Sequence, residues 1–390
     1  MRTLMRTLMR TTLLLFLLAA LGAGCNYPTL QTLTPAPTAA QTWPAPPTDG
    51  PRLLPHTLYF LSGRSGGTQV WRLQADGLTL HQLTDESEGI DQYDVSIVDG
   101  RFAYRIGNRI YISNVDGSGW RLLVDNSSAD TAQAGYTYTD AVGGPLFAPG
   151  GAALAYAQGG VWLMDLGSGE ARRVLENRVS EEDGAVTALE IYTPVAWSPS
   201  GQQLLVAIAQ PESSTLGVWN IPSGELLRLE SETLLCCQAV WAPDGGSLLL
   251  ASASLGLVEP GLWRYDAASG AQSTLVETLS RETYNFVGWP LQLPNGDLRY
   301  FYASSAELPD GDLPLYMVHS ASDGRSGRSQ LRSDAFSIRQ ALWAADGSLA
   351  LVAQTAAGGE GLEGPVVLAF ADGRPLQVIV DFGYALRWGN

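Results

Sequence analysis

The sequence predicts an all-β fold, a seven-bladed β-propeller closed by its own C-terminal strand. Three observations predict it. Charged residues make up only 16% of the 390 positions while Gly (43) and Trp (11) are abundant, which suits many short strands joined by tight turns. Two glycine-centred landmarks recur every 40 to 57 residues or so from position 57 onward, the spacing of a four-stranded blade. The one landmark missing from the first repeat reappears at the end of the chain.

The first element is an address. Residues 1–12 carry Arg2, Arg6 and Arg10 and no acid, Leu13–Leu21 is apolar, and small residues lead to Cys25. This is the order of a secretory signal, and the apolar run is too short to cross a bilayer core of about 30 Å. The segment Leu21-Gly22-Ala23-Gly24-Cys25 resembles a bacterial lipobox, departing from it at Gly22, where Leu is usual. The resemblance implies cleavage after residue 24, acylation of Cys25 and an extracytoplasmic, membrane-anchored lipoprotein. Residues 25–55 then carry eight prolines among Thr, Ala and Gln. Such a segment buries no core and favours extended polyproline conformation, so about thirty residues at about 3.1 Å each form a tether as long as ~90 Å.

Residues 56–390 hold the repeats. An apolar or aromatic pair followed by a turn occurs seven times: Val70-Trp71, Ile110-Tyr111, Val161-Trp162, Val218-Trp219, Leu262-Trp263, Leu315-Tyr316 and Val366-Val367. Their turns end on Gly77, Gly117, Gly169, Gly224, Gly270, Gly324 and Gly373. A second turn, ending on Gly100, Gly151, Gly201, Gly245, Gly296 or Gly347, precedes each of the last six pairs, as a hairpin between two apolar runs requires. The first repeat finds its missing strand in Ala385–Asn390. An open ring would leave edge strands prone to aggregation, so this terminal strand is expected to act as the clasp. The long sixth repeat also fits a count of six or eight. Trp197-Ser198-Pro199-Ser200-Gly201, Trp241-Ala242-Pro243-Asp244-Gly245 and Ile110-Tyr111 to Gly119 resemble the repeats of TolB-like, WD40-like (PD40-type) propellers. That resemblance covers about residues 57–390 and implies a fold, not an activity.

With four strands per blade numbered outward, the first–second and third–fourth turns share one side of the ring and the remaining connections share the other. The first set is tight. The second holds the long segments 124–145, 175–194, 254–261, 304–313 and 354–364, and binding residues concentrate on such loops. This side is acidic with interspersed aromatics, and Tyr136, Tyr138, Glu181, Glu182, Asp183 and Tyr192 are the candidate binding residues. They suit a cationic or neutral protein, peptide or glycan better than an anionic partner. The net charge of −16, which becomes more negative once the three leader arginines are cleaved, argues against nucleic acid and leaves the N-terminal lipid as the membrane contact.

Catalytic patterns are poor. No lysine occurs, which excludes Schiff-base chemistry and a P-loop. Gly63-Arg64-Ser65-Gly66-Gly67 fits Gly-x-Ser-x-Gly, but it joins two strands, where a nucleophile elbow needs a strand entering a helix. His56, His81 and His319 fall in different repeats, and no calcium loop is present. No catalytic, metal or cofactor residue is therefore assigned. Cys236 and Cys237 are neighbours about 3.8 Å apart at Cα, closer than an ordinary disulfide permits, which favours two reduced thiols, with a vicinal disulfide as the alternative. The expected function is a binding or scaffold module acting through the acidic, loop-rich side. Its rival is a carboxylate-dependent hydrolase, for example a glycan-cleaving one, or a cofactor-binding enzyme with its site at the mouth of the ring.

Overall fold

The computed structural model describes residues 52–229, 238–253, 259–307, 313–354 and 363–390. They belong to one compact unit, Ala45–Asn390. Among the described residues the fold is all-β, with 56% of them in strands and 1% in helix, and every strand pairing is antiparallel. Cys25, Cys236 and Cys237 lie outside the described residues.

Five sheets follow the repeats in chain order. Gln92–Val95, Phe102–Ile106, Arg109–Ser113 and Arg121–Asp125 form the first, and Leu146–Phe147, Ala153–Ala157, Gly160–Asp165 and Ala171–Glu176 the second. In the third, the long strand Ala185–Trp197 pairs with Gln203–Ala209 and also with Arg178–Glu182. Gln238–Trp241 opens the fourth and Thr283–Gln292 is the longest strand of the fifth. The sixth sheet has seven strands and contains both ends of the described chain. Its strand Gln377–Trp388 changes partner midway: Gln377, Val378, Val380 and Gly383 pair with Gly364–Phe370, whereas Tyr384, Arg387 and Trp388 pair with Leu58–Ser62. Ala385, at φ 53°, sits at that change of partner.

The glycine landmarks become turns for one physical reason. All of them have φ between 68° and 89°, where a Cβ would clash with the backbone. The apolar runs between them are continuous because both faces of each strand are covered. Leu204, Val206 and Ile208 pack with Ala155 and Val161 of the preceding sheet, while Leu205 and Ala207 pack with Leu248 and Leu250 of the next. Leu249 and Ala251 in turn meet Val287 and Tyr300. The core is thus a series of apolar layers between neighbouring sheets, and one layer joins Leu349, Leu351 and Leu368 to Leu58 and Phe60.

The first strands of neighbouring sheets are linked as well. The indoles of Trp197, Trp241, Trp343 and Trp388 donate to the carbonyls of Leu146, Ala196, Trp289 and Trp343, each in the sheet or strand set before it, at 2.7–3.3 Å. Buried Asp94 accepts from Arg387 Nε at 3.2 Å on one side and from the backbone N–H of Phe147 at 2.7 Å on the other.

Candidate functional site

The connection between the first and second sheets contains one short helix, Tyr136–Thr139, held from below by an asparagine. Asn108 Nδ2 donates to the carbonyls of Asn126 (2.8 Å) and Asp140 (3.2 Å), and its Oδ1 accepts from the N–H of Val142 (2.6 Å). Asn177 repeats the device: its Nδ2 donates to the Tyr138 carbonyl and its Oδ1 accepts from the Tyr192 N–H, both at 2.8 Å. These asparagines escaped sequence reasoning, since their partners lie 15 to 39 residues away and leave no local pattern.

Segment 175–194 departs from the expected loop. It is a β-hairpin, Arg178–Glu182 against Ala185–Glu190, turned by Asp183 (φ 52°) and Gly184 (φ 76°). Those angles are a type I′ turn, for which Asp-Gly is a favoured pair, and the dipeptide was the available signal. Val186 of the hairpin lies against Gly135, where an added Cβ would sit 2.5 Å from its methyl, so the hairpin and the Tyr136 helix are neighbours. Tyr136 and Tyr138 are half-buried. Burial pushes the Tyr136 hydroxyl above its ordinary pKa, against the opposing pull of Arg105 and with Asp140 adding to the rise.

Glu181, Glu182 and Asp183 are exposed at the tip, and no ion pair engages them among the described residues. Other acids that the sequence assigns to the same side are less available than their number suggests. Glu88 pairs with Arg109 at 3.2 Å, Asp91 with Arg105 at 3.4 Å, and Glu86 accepts from the Tyr104 hydroxyl at 2.9 Å.

Tyr192 differs from the expectation of a surface residue. It is 6% exposed, and its hydroxyl donates to Glu190 at 2.5 Å. Glu190 also accepts from Arg228 Nη2 through both oxygens at 2.9 Å, from Gln210 Nε2 at 3.0 Å and from Arg178 Nη1 at 3.3 Å. Burial alone would raise this carboxyl, but the hydrogen bonds from Tyr192, Arg228 and Gln210, with the Arg228 charge, outweigh it and hold the pKa at about 2. A carboxylate so saturated neither gives nor takes a proton near neutral pH, so it suits a clamp at the hairpin root better than a general acid.

Other groups offer little chemistry. Ser65 lies exposed in the turn between Leu58–Ser62 and Gln69–Leu73, far from the strand-to-helix geometry of a nucleophile. Among the described residues no three His, Cys, Asp or Glu side chains converge as a metal site. An open depression of about 600 Å³ beside Tyr302, Tyr316, Arg328 and Gln330 has no carboxylate, imidazole or thiol in its lining.

No protein-family model matches the sequence, and comparison with curated proteins gives no match. Solved structures do. TolB from Acinetobacter baumannii is 14% identical over 85% of this chain and 82% of its own, with a TM-score of 0.44. A puromycin hydrolase S511A mutant complexed with PGG is 15% identical over 85% of this chain and 53% of that one, TM-score 0.55. An oligogalacturonate lyase in complex with manganese is 12% identical over 84% and 86%, TM-score 0.55. The chain spans about half the length of the hydrolase. At such identities the likeness is one of fold, that of a β-propeller, in keeping with the TolB-like repeats.

Proposed function

We propose that this chain is a seven-bladed propeller, clasped by Tyr384–Trp388 and carried outside the cytoplasm on a lipid at Cys25 and the tether 25–55. In this assignment it binds a protein, peptide or glycan through its long connections. The ring is supported by the inter-sheet contacts. Indole and carboxylate bonds run from Asp94 through Phe147, Trp197 and Trp241, and from Trp289 through Trp343, Trp388 and Arg387 back to Asp94. The seven-stranded sheet then supplies two blades that share one strand.

The observation that carries the binding role is the hairpin itself. It extends past the part of its strand that pairs with Gln203–Ala209, clamped at the root by Glu190 and flanked by the Tyr136 helix, and it ends in three carboxylates without ion pairs among the described residues. Exposed, unpaired charge on a rigid mount serves a partner and contributes little to stability. Replacing Glu181 and Glu182 by Gln and Asp183 by Asn, or Tyr136 and Tyr138 by Ala, should weaken capture of the partner on intact cells while changing folding stability by about 0.5 kcal/mol or less for the tip. Capture that survives both sets of changes at equal folded concentration would remove the role from this side of the ring.

A further inference from the structure

The hairpin has a free edge. Asp183 and Gly184 form a two-residue type I′ loop, so Glu182 and Ala185 are the closely hydrogen-bonded pair that flanks it. Alternation along the strand then turns the backbone N–H and C=O of Ser180 and Glu182 toward Ala185–Glu190, and those of Val179 and Glu181 away. Arg178–Glu182 is the last strand on its side of the sheet, and no backbone hydrogen bond reaches Val179 or Glu181 from another described element. Val179 is 36% exposed, and Glu181 and Glu182 are open to solvent.

Proteins blunt such edges with Lys, Pro or a bulge. This one carries no Pro or Lys, and its single bulge lies at the root, between Arg178 and Val179. Its protection is negative charge toward the tip, on Glu181 and Glu182, while Arg178 at the root is paired with Glu190. Two copies of an acidic edge repel each other, whereas a basic segment is attracted. The edge is also held in place by the Glu190 clamp and by Val186 against Gly135, which lowers the ordering cost of adding a strand.

We propose that Arg178–Glu182 receives an extended, basic segment of a protein partner as an added β-strand. The inference rests on the binding role of this side of the ring. Val179 and Glu181 supply the main-chain donors and acceptors, and the two glutamates supply selectivity. Because Glu181 and Glu182 project to opposite faces of the strand, two consecutive basic residues in the partner satisfy both.

The test uses the full chain and a fluorescent synthetic peptide with Arg-Arg flanked by alternating Val and Thr, read by anisotropy. Two further peptides carry backbone N-methyl groups, one on the even residues and one on the odd. In an added strand only one of these sets faces the hairpin, so one peptide should lose on the order of tenfold or more in affinity and the other should keep most of it. Changing Glu181 and Glu182 to Gln should weaken the unmethylated peptide and flatten its salt dependence. No binding of the parent peptide, or equal binding of the two methylated peptides, overturns strand addition. Equal binding that still falls with the Gln changes leaves the acidic side as a binding side, whereas failure of the cell-capture experiment would remove that role itself.

Discussion

Removing Ala385–Asn390 should abolish or nearly abolish stable folding, and the structure gives the size of the effect. Leu386 is fully buried in the layer with Leu58, Phe60, Leu349 and Leu368, and truncating such a leucine costs about 2–5 kcal/mol. Both of its backbone polar groups are met by one side chain. Gln340 Oε1 accepts from its N–H at 2.8 Å and Gln340 Nε2 donates to its carbonyl at 3.0 Å. Three further bonds tie the segment to its surroundings beyond its ladder with Leu58–Ser62 and the Arg387 contact to Asp94: Trp388 Nε1 to the Trp343 carbonyl (2.7 Å), the Tyr93 hydroxyl to the Ala385 carbonyl (2.7 Å) and the Gly389 N–H to the Thr57 carbonyl (2.8 Å). At about 1 kcal/mol each these five bonds add about 5, for a total of about 7–10 kcal/mol against a typical domain stability of about 5–15. Leu386→Ala alone should cost about 2–5 kcal/mol in urea unfolding followed by tryptophan fluorescence. The truncated chain should lack a cooperative transition or self-associate through the bared edge of Leu58–Ser62. A truncated protein that unfolds at the parent's urea midpoint would refute the clasp.

Gly117→Ala should destabilise by about 2–3 kcal/mol, because φ is 85° and the new Cβ would lie 2.2 Å from the Leu83 carbonyl oxygen. Gly169→Ala, at φ 77° with nothing within 4 Å, should cost only the backbone term of about 1–2 kcal/mol, and equal losses would refute the inter-sheet contact. Asp323 accepts from the Ser326 hydroxyl and from the N–H groups of Ser326 and Arg325, which hold its carboxyl at about 2. A depressed carboxyl stabilises the fold above its ordinary pKa of about 4 and loses that contribution as pH falls through the folded value. The gap in stability between parent and Asp323→Asn should therefore shrink from pH 4 to pH 2, and a constant gap would contradict the assignment. Cys25→Ser should leave the protein uncleaved or free of membranes, checked by fractionation and intact mass, with unchanged lipid modification ruling the anchor out.

The repeats were legible because each landmark is a short-range requirement. A tight turn with φ near 70° demands Gly at a fixed offset, and a strand covered on both faces demands an unbroken apolar run such as Leu248–Ala251. The site was legible only in part. The Tyr136 helix and the hairpin carrying Glu181, Glu182 and Asp183 are neighbours through Gly135 and Val186, but Arg178–Glu182, polar except for Val179, is largely exposed on both faces and so shows no strand alternation. Tyr192 looked like a loop aromatic, yet it lies buried within the long strand Ala185–Trp197, between the buried Glu190 and the exposed Thr193. The Glu190 cluster draws on Arg178, Gln210 and Arg228, separated from it by 12, 20 and 38 residues, a spacing that only the folded sheet brings into register.

The absence of lysine acquires a physical meaning in the fold. Arg72 donates to the Val115 carbonyl, Arg101 to Gly151 (3.0 Å), Arg121 to Leu166 (3.4 Å), Arg264 to Ser322 (3.0 Å), Arg325 to Leu275 (2.6 Å) and Arg332 to Phe370 (2.7 Å). Each bond ties a sheet to its neighbour through a main-chain oxygen. A guanidinium suits that place, because it is weakly hydrated, presents several donors in a fixed plane and never loses its charge. Arg72 and Arg332 are only 6% exposed, so part of the protein's positive charge is committed to the seams and withheld from the surface. The surface is accordingly more acidic than a net charge of −16 conveys, and among its acids Glu88, Asp91 and Glu190 are already neutralised by arginine. At the hairpin tip, by contrast, Glu181, Glu182 and Asp183 face solvent together with no ion pair among the described residues, so their charge is not offset by a neighbouring arginine.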